Sequence, residues 1–594
     1  MNGNKKAPLF ALVLLLSCHS GQRIEWRPGQ WLLQPDTLNT GIQERWFDTG
    51  YTPRDSVIIE NLSADHLPST WNDSGLVWYF NDFTIDDKHN IALAIPALHD
   101  SGTIWINGQL VGAQSGELTE QFDLSTFLNS GHNRMAIRVR YHNRPAGITG
   151  EVTMFRFFHK KELTKSKLAL QQAPQPPDWA KNAIIYEVNV RQYTQEGTFN
   201  AFADHLSTLK EMGVNILWFM PIHPIGEKNR KGTLGSYYSI SDYYGVNPEF
   251  GSLDDFKRLV QKIHDMGMYT IIDLVINHTA WDNPMITEHP EWYSQNHKNE
   301  ILAPVDDWTD VADLNYDNPE LRRYMTDMMT WWVKEIGIDG YRCDVAEMVP
   351  GDFWKAAIAE VEKVRPIFML AEGEAPDLHV NGFHMTYASQ MYRLFNAIAR
   401  GEKKISEIDL YLQREQFQYP QGAMRMRFTS NHDQNSWDAT AVTRLGEQGA
   451  KAFAVLTFTL PGNPLIYSGQ EVGSTKKLDF FEKDLIDWRD SEFRSLYTTL
   501  ADTYKKHPAL YNGSMTRLKS KQSYAFSREK GQDRVLVLVN LTGKTCREKI
   551  EFKDLNGNFT ELFKGTTLTL HNSAVDIEMQ PWEYRVYIAE RITR

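Results

Sequence analysis

Four short segments of this chain end apolar runs in groups that can hold charge or move protons. They are Asp273-Leu274-Val275-Ile276-Asn277-His278, Gly340-Tyr341-Arg342-Cys343-Asp344, Phe368-Met369-Leu370-Ala371-Glu372 and Phe428-Thr429-Ser430-Asn431-His432-Asp433. Side chains alternate along an extended strand, so Arg342 shares a face with Asp344, and Glu372 shares one with Phe368 and Leu370. An acid at the end of an apolar strand is costly to bury unless it is paired or used in chemistry. A satisfied core ion pair would account for one such acid. Carboxylates at four strand ends, with Arg342, His278 and His432 among them, point to a site that handles charge and protons.

Such a site needs a scaffold that brings the ends of separate strands together. From residue 178 the sequence alternates strand-like and helix-like stretches. Ala183 to Val190 reads as a strand, Asn200 to Met212 as a helix and Ile216 to Ile222 as a buried strand. Leu253, Phe256, Leu259, Val260 and Ile263 recur at the spacing of one helix face, as do Leu321, Tyr324, Met325, Met328 and Trp332. Further strands read at Tyr269 to Asn277, Tyr341 to Val345, Ile367 to Ala371, Arg425 to Thr429 and Pro464 to Tyr467. This alternation predicts an α/β fold, a (β/α)8 TIM barrel over residues 176–507, whose chemistry sits at the C-terminal ends of its strands. A doubly wound sheet is the fallback, but no Gly-rich phosphate loop follows the first strand. Residues 279–316 lack helical period and read as a small excursion after the third strand.

The flanks are strand-rich. Residues 24–165 show short alternating stretches such as Met135 to Arg140, and Asn107-Gly108 is a hairpin turn signal. They predict an N-terminal β-sandwich, closed by the Gln- and Pro-rich linker from Gln171 to Asp178. From residue 508 to 594 the strands at Val535 to Asn540, Thr566 to Leu570 and Tyr584 to Ile588 predict a C-terminal β-sandwich.

Lys5 and Lys6 precede a short apolar run, Ala7 to Leu16, as in an export signal. The run ends in Leu15-Leu16-Ser17-Cys18, which looks like a bacterial lipobox. It predicts residues 1–18 as a lipoprotein signal, Cys18 as the lipidated first residue, and a protein anchored at the periplasmic or cell surface through lipid alone. A plain secretory signal is the alternative. Cys343 and Cys546 fall in different predicted domains, so no disulfide is expected. With 63 Lys+Arg against 75 Asp+Glu the net charge is −12, which speaks against a nucleic-acid partner. The 17 Trp suit rings that stack on sugar faces, and equally suit large β-rich cores.

In their order, the four segments resemble the signature regions of the α-amylase family, glycoside hydrolase family 13. So do Gly213-Val214-Asn215-Ile216-Leu217-Trp218-Phe219-Met220-Pro221-Ile222, Gly235-Ser236-Tyr237-Tyr238, Asp313-Leu314-Asn315, Gly462-Asn463-Pro464 and Gly469-Gln470-Glu471. The resemblance covers residues 178 to about 590. The stretch from Trp78 to Val139 resembles the galactose-binding-like jelly roll of many glycosidases. By resemblance, Asp344 is the nucleophile of a retaining hydrolase and Glu372 its acid/base, the two working together on one glycosidic bond. Glu374 is a nearby competitor for the second role. Arg342 would keep Asp344 ionised, because a neighbouring cation lowers a carboxylate's pKa. Asp433, His278 and His432 would bind the sugar ring, Tyr238 would stack on it, and Asp273 would brace Arg342. Asn277 and Asp313 match calcium ligands of the family, and oxygen donors suit Ca2+; Asn277 could equally be a strand-end hydrogen-bonder. No organic cofactor is implied.

Glu347 and Met348 stand where many α-amylases carry Lys-His, which puts acceptor-side preference in question. The run Asp344-Val345-Ala346-Glu347 is closer to neopullulanase and cyclomaltodextrinase types, whose N-terminal sandwich often supports a homodimer. The resemblance implies hydrolysis of α-1,4 bonds in starch-like glucans and maltooligosaccharides. Neopullulanase-like or transglycosylating action is the alternative. A catalytically inactive glycan-binding lipoprotein is a third reading, which the intact Asp344, Glu372 and Asp433 oppose.

Overall fold

A computed structural model describes residues 31–590, apart from 38, 55, 60–73, 86–87, 89–90, 96–100, 116–119, 143–146, 149–151, 157–167, 306 and 554. The signal and Cys18 lie outside the described residues. The chain divides into two compact units, residues 1–35 with 47–166, and residues 36–46 with 167–594.

In the first unit, six antiparallel strands form one sheet, with Ser74–Ile85 and Gly131–His142 paired along twelve residues at its centre. A three-stranded sheet adds Glu120–Asp123, Ile91–Ile95 and Thr153–Arg156. Alternate residues such as Val77, Tyr79, Ile104, Ile106, Ile137 and Val139 supply one buried core. The hairpin between Ser101–Ile106 and Gln109–Ser115 turns at Asn107 and Gly108, with φ of 52° and 77°. Two consecutive positive φ angles explain why Asn-Gly stands there.

The second unit holds a closed barrel of eight parallel strands: β1 (Ile185–Val188), β2 (Ile216–Phe219), β3 (Tyr269–Leu274), β4 (Gly340–Cys343), β5 (Phe368–Ala371), β6 (Met385–Tyr387), β7 (Met424–Arg427) and β8 (Asn463–Tyr467). Sequence periodicity misses β6, because three residues are too short to show alternation. The helix Leu253–Asp265 starts at a capping box between Ser252 and Asp255 and buries Phe256, Leu259, Val260 and Ile263 against the barrel. Removing one such side chain, as in Ile263→Ala, would cost about 2–5 kcal/mol. The expected helix from Asn200 to Met212 is two helices, Phe199–Ala203 and Leu206–Met212. The excursion after β3 contains a two-stranded ribbon, His278–Ala280 with Val311–Asp313. Beyond the helix Glu492–Lys506, a six-stranded and a two-stranded sheet complete the chain. Cys343 and Cys546 are buried free thiols.

Candidate active site

Strand register sets the height of each functional group. Asp273 lies beside Arg342 in the β3–β4 pair, and Cys343 lies beside Ala371 in the β4–β5 pair. Asp344 and Glu372 each follow the last paired residue of their strand, so they leave the barrel at the same level. Arg342, fully buried, gathers the acids: Nη1 donates to Asp273 Oδ1 at 2.7 Å and to Asp344 Oδ1 at 2.9 Å. Its Nη2 lies 3.0 Å from Glu372 Oε2, off the hydrogen-bond direction. Its Nε donates to the hydroxyl of Tyr387 at 3.1 Å. Trp218 Nε1 donates to the other Asp273 oxygen at 3.3 Å.

Glu372 also accepts from the backbone N–H of Val345 at 2.8 Å. Val345 has φ 36°, a left-handed conformation that a β-branched residue rarely adopts. That strain sits directly after Asp344, where it turns the chain back toward Glu372.

The two carboxyls titrate as a pair. Burial and the charge of Glu372 push Asp344 well above the usual carboxylate range. Burial raises Glu372 as well, but Arg342 and the Val345 N–H outweigh it and hold that carboxyl low. Arg342 was expected to keep Asp344 ionised. The guanidinium is shared between two buried acids: it favours the ionised form of both, and at Asp344 burial and the charge of Glu372 outweigh it.

Glu187 on β1 is a buried acid that the sequence reading missed. It accepts a hydrogen bond from His432 Nδ1. Burial opposes charge on His432, but Asp433 and Glu187 overcome it and raise its pKa to about 9. Its Nε2 is 2.7 Å from the Tyr238 hydroxyl, which donates to Asp273 Oδ2 at 3.0 Å. The Tyr238 ring stacks on His432, with centroids 5.4 Å apart. Burial lowers His278 to about 4, so this imidazole is neutral.

These groups line a cavity of about 330 Å³: Tyr238, His278, Asp344, Glu372, His432 and Asp433, with Trp308, Trp437, Phe480 and Phe481. Glu374, the competing acid, is turned elsewhere. Its carboxylate accepts from Gln390 N at 2.9 Å and Arg393 Nη2 at 3.0 Å, with Arg425 Nη2 at 3.4 Å. Glu347 is likewise engaged within the fold: Oε1 accepts from the backbone N–H of Glu374 at 2.6 Å and of Ala375 at 2.9 Å.

Asn277 and Asp313 lie close together, since Asp313 pairs with His278 across the ribbon. The amide of Asn277 is 3.3 Å from His278 Nδ1. Asp313 has no ion-pair partner among the described residues, and burial pushes its carboxyl up to about 7. Among the described residues no three His, Cys, Asp or Glu side chains form a metal-binding group. Ca2+ takes six to eight oxygens, of which these two side chains could offer only a part.

Residues 178–304 and 289–531 match the family described as alpha amylase, catalytic domain, and residues 24–158 match the sugar binding domain of glycosyl hydrolases family 2. The noncanonic maltogenic alpha-amylase AmyB of Thermotoga neapolitana is 32% identical, with a TM-score of 0.65 over 69% of this chain and 99% of that one. An alpha-amylase of Lactobacillus plantarum is 30% identical, with a TM-score of 0.64 over 69% of this chain and 100% of that one. Alpha-amylase MalA of Haloarcula japonica is 28% identical over 387 residues, 61% of this chain and 56% of that relative's length. A cyclomaltodextrinase of a Bacillus species is 27% identical over 431 residues, 62% of this chain and 74% of that one.

Proposed function

The chain belongs to the α-amylase family of glycoside hydrolases, and from that premise we propose that it cleaves α-1,4-glucosidic bonds of starch-like glucans and maltooligosaccharides with retention. One observation carries this reading: Asp344 and Glu372 meet a single guanidinium, that of Arg342, in a pocket also lined by Tyr238, His278, His432 and Asp433. In the first step Asp344 attacks the anomeric carbon while Glu372 protonates the leaving oxygen. In the second, water attacks the glycosyl-enzyme and Glu372 takes its proton. Chemistry needs the proton on Glu372. A glycosidic oxygen accepting from Glu372 favours the protonated acid there, while Arg342 favours the ionised form of Asp344. Asp433 and protonated His432 grip ring hydroxyls, and Tyr238 gives the ring an apolar face.

Similarity to a cyclomaltodextrinase favours a second reading, in which cyclic or short maltodextrins are preferred. A product profile on maltoheptaose, pullulan and cyclodextrin tests both. Hydrolysis of maltoheptaose is expected; faster turnover of cyclodextrin would select the second reading. No turnover on any of the three would sink both and leave a glycan-binding protein.

The same proposal includes a structural Ca2+ held by Asn277 and the carboxylate of Asp313, which has no ion-pair partner among the described residues, with backbone carbonyls and water completing its shell. It would rigidify the excursion and take no part in bond cleavage. Export and lipid anchoring through Cys18 rest on Lys5, Lys6 and the apolar run Ala7 to Leu16.

A further inference from the structure

The leaving group lies on the side of Glu372, which must protonate it, so the ring held by Tyr238, His432 and Asp433 is the glycone. Beside that ring Phe480, Phe481 and Trp437 line the same pocket and form an aromatic cluster with Tyr238. Phe480 stacks on Tyr238, with centroids 6.1 Å apart and planes at 12°; Phe481 and Trp437 each stand 5.2 Å from Phe480. Trp437 is 57% exposed, a large ring left in water on the lining of the pocket.

Three loops are tied together at this cluster. Leu234 N donates to Phe481 O at 3.0 Å, and Thr233 N donates to Glu482 Oε1 at 2.7 Å. Gly232, at φ 64°, comes so close that a Cβ there would lie 2.4 Å from Phe481 Cβ. Lys231 Nζ reaches across to the excursion, donating to Asp307 O at 2.6 Å and lying 3.2 Å from Asp310 Oδ1. Two buried neighbours after β1 hold the first and third loops from below. Arg191 donates to Gly235 O and Leu234 O, and Gln192 Nε2 donates to Asp479 O at 2.8 Å and Glu482 O at 2.9 Å. The cavity they bound, about 330 Å³, is small by the range of roughly 300–1,000 Å³ common for ligand pockets.

We propose that these loops close the glycone end of the pocket, so that the enzyme works from the non-reducing end of an α-glucan and releases short products of about one or two sugar rings. This rests on the glucan-hydrolase reading and specifies the product. Lys231 and Asp310 are the specificity-determining pair: with Nζ as donor and Oδ as acceptor, they meet the terminal 4-hydroxyl that only a chain end offers.

The test compares 4-nitrophenyl maltoheptaoside with the same glucan blocked by a 4,6-O-ethylidene group at its non-reducing end, with cleavage followed by chromatography. The free form should be cleaved about 100-fold or more faster, because a site built around a hydroxyl rejects the analogue that lacks it. Early products should be the chain shortened by one or two rings together with glucose or maltose. In Lys231→Ala/Phe481→Ala, the preference should shrink toward parity while the free form is still cleaved. Equal cleavage of both glucans by the wild type, or an early mixture of all chain lengths, would overturn the closed end but leave glucan hydrolysis standing. Cleavage of neither would overturn the hydrolase reading on which the proposal depends.

Discussion

Glu347 Oε1 accepts hydrogen bonds from the backbone of Glu374 and Ala375, at 2.6 and 2.9 Å, and so ties the loop after the nucleophile to the loop after the acid. Many α-amylases resembling this chain carry a Lys at this position. Here an acceptor replaces a donor, and the side chain becomes a strut between the two catalytic loops.

Glu347→Lys removes the only kind of group that can receive those two N–H donors. Leaving them unsatisfied should cost about 1–3 kcal/mol. The expected result is a lower Tm and a lower kcat on maltotriose and maltoheptaose alike, because Glu372 loses its support. Improved KM on the longer glucan alone would show instead that position 347 faces the acceptor.

Asp344→Asn should lower kcat by about four orders of magnitude or more with little change in circular dichroism, because an amide cannot form the glycosyl-enzyme. Glu372→Gln should slow unactivated maltooligosaccharides far more than aryl glycosides with good leaving groups, since only the former need protonation. Glu374→Gln should lower Tm and spare that difference between substrates. If Glu374→Gln instead showed the leaving-group dependence, the acid would have been assigned to the wrong residue.

The Glu187–His432 pair gives a pH signature. The folded pKa of His432, about 9, lies above the free value of 6.5. Its contribution to stability is therefore fully present below about pH 6.5 and is lost as pH rises through about 9. Glu187→Gln removes the buried partner, and the variant should lose about 3 kcal/mol or more. The alkaline limb of kcat/KM should also move to lower pH. An unmoved limb would mean that His432 does not need its proton for turnover.

Calcium removal should act on stability first. With Asp313 lacking any ion-pair partner among the described residues, EDTA should lower Tm and added Ca2+ should restore it, in the wild type but not in Asp313→Ala. A Tm indifferent to EDTA would remove the calcium reading.

Cys18→Ser should move the protein from the membrane fraction to the soluble one with unchanged specific activity. A wild type that fractionates entirely as soluble protein would leave export without an anchor.

The sequence by itself determined the class of fold and where its candidate acids stand. Buried strands and amphipathic helices carry their own periods, and a carboxyl at the end of an apolar run is visible without any partner, so Asp344, Glu372 and Asp433 could be picked out residue by residue. What each acid touches was decided only by the tertiary structure. Glu374 is the same residue type as Glu372 and two residues away, and Arg393 and Arg425, farther along the chain, withdraw it from the pocket. Glu187 sits in an otherwise apolar strand, and only closure of the barrel brings it against His432, 245 residues later. Tyr387, on a strand too short to announce itself, meets Arg342 for the same reason. Periodicity records what a residue does to its own element. Register between strands, the sharing of one guanidinium by two acids and the knotting of three loops at the pocket's end are relations between distant residues, set when the eight strands close.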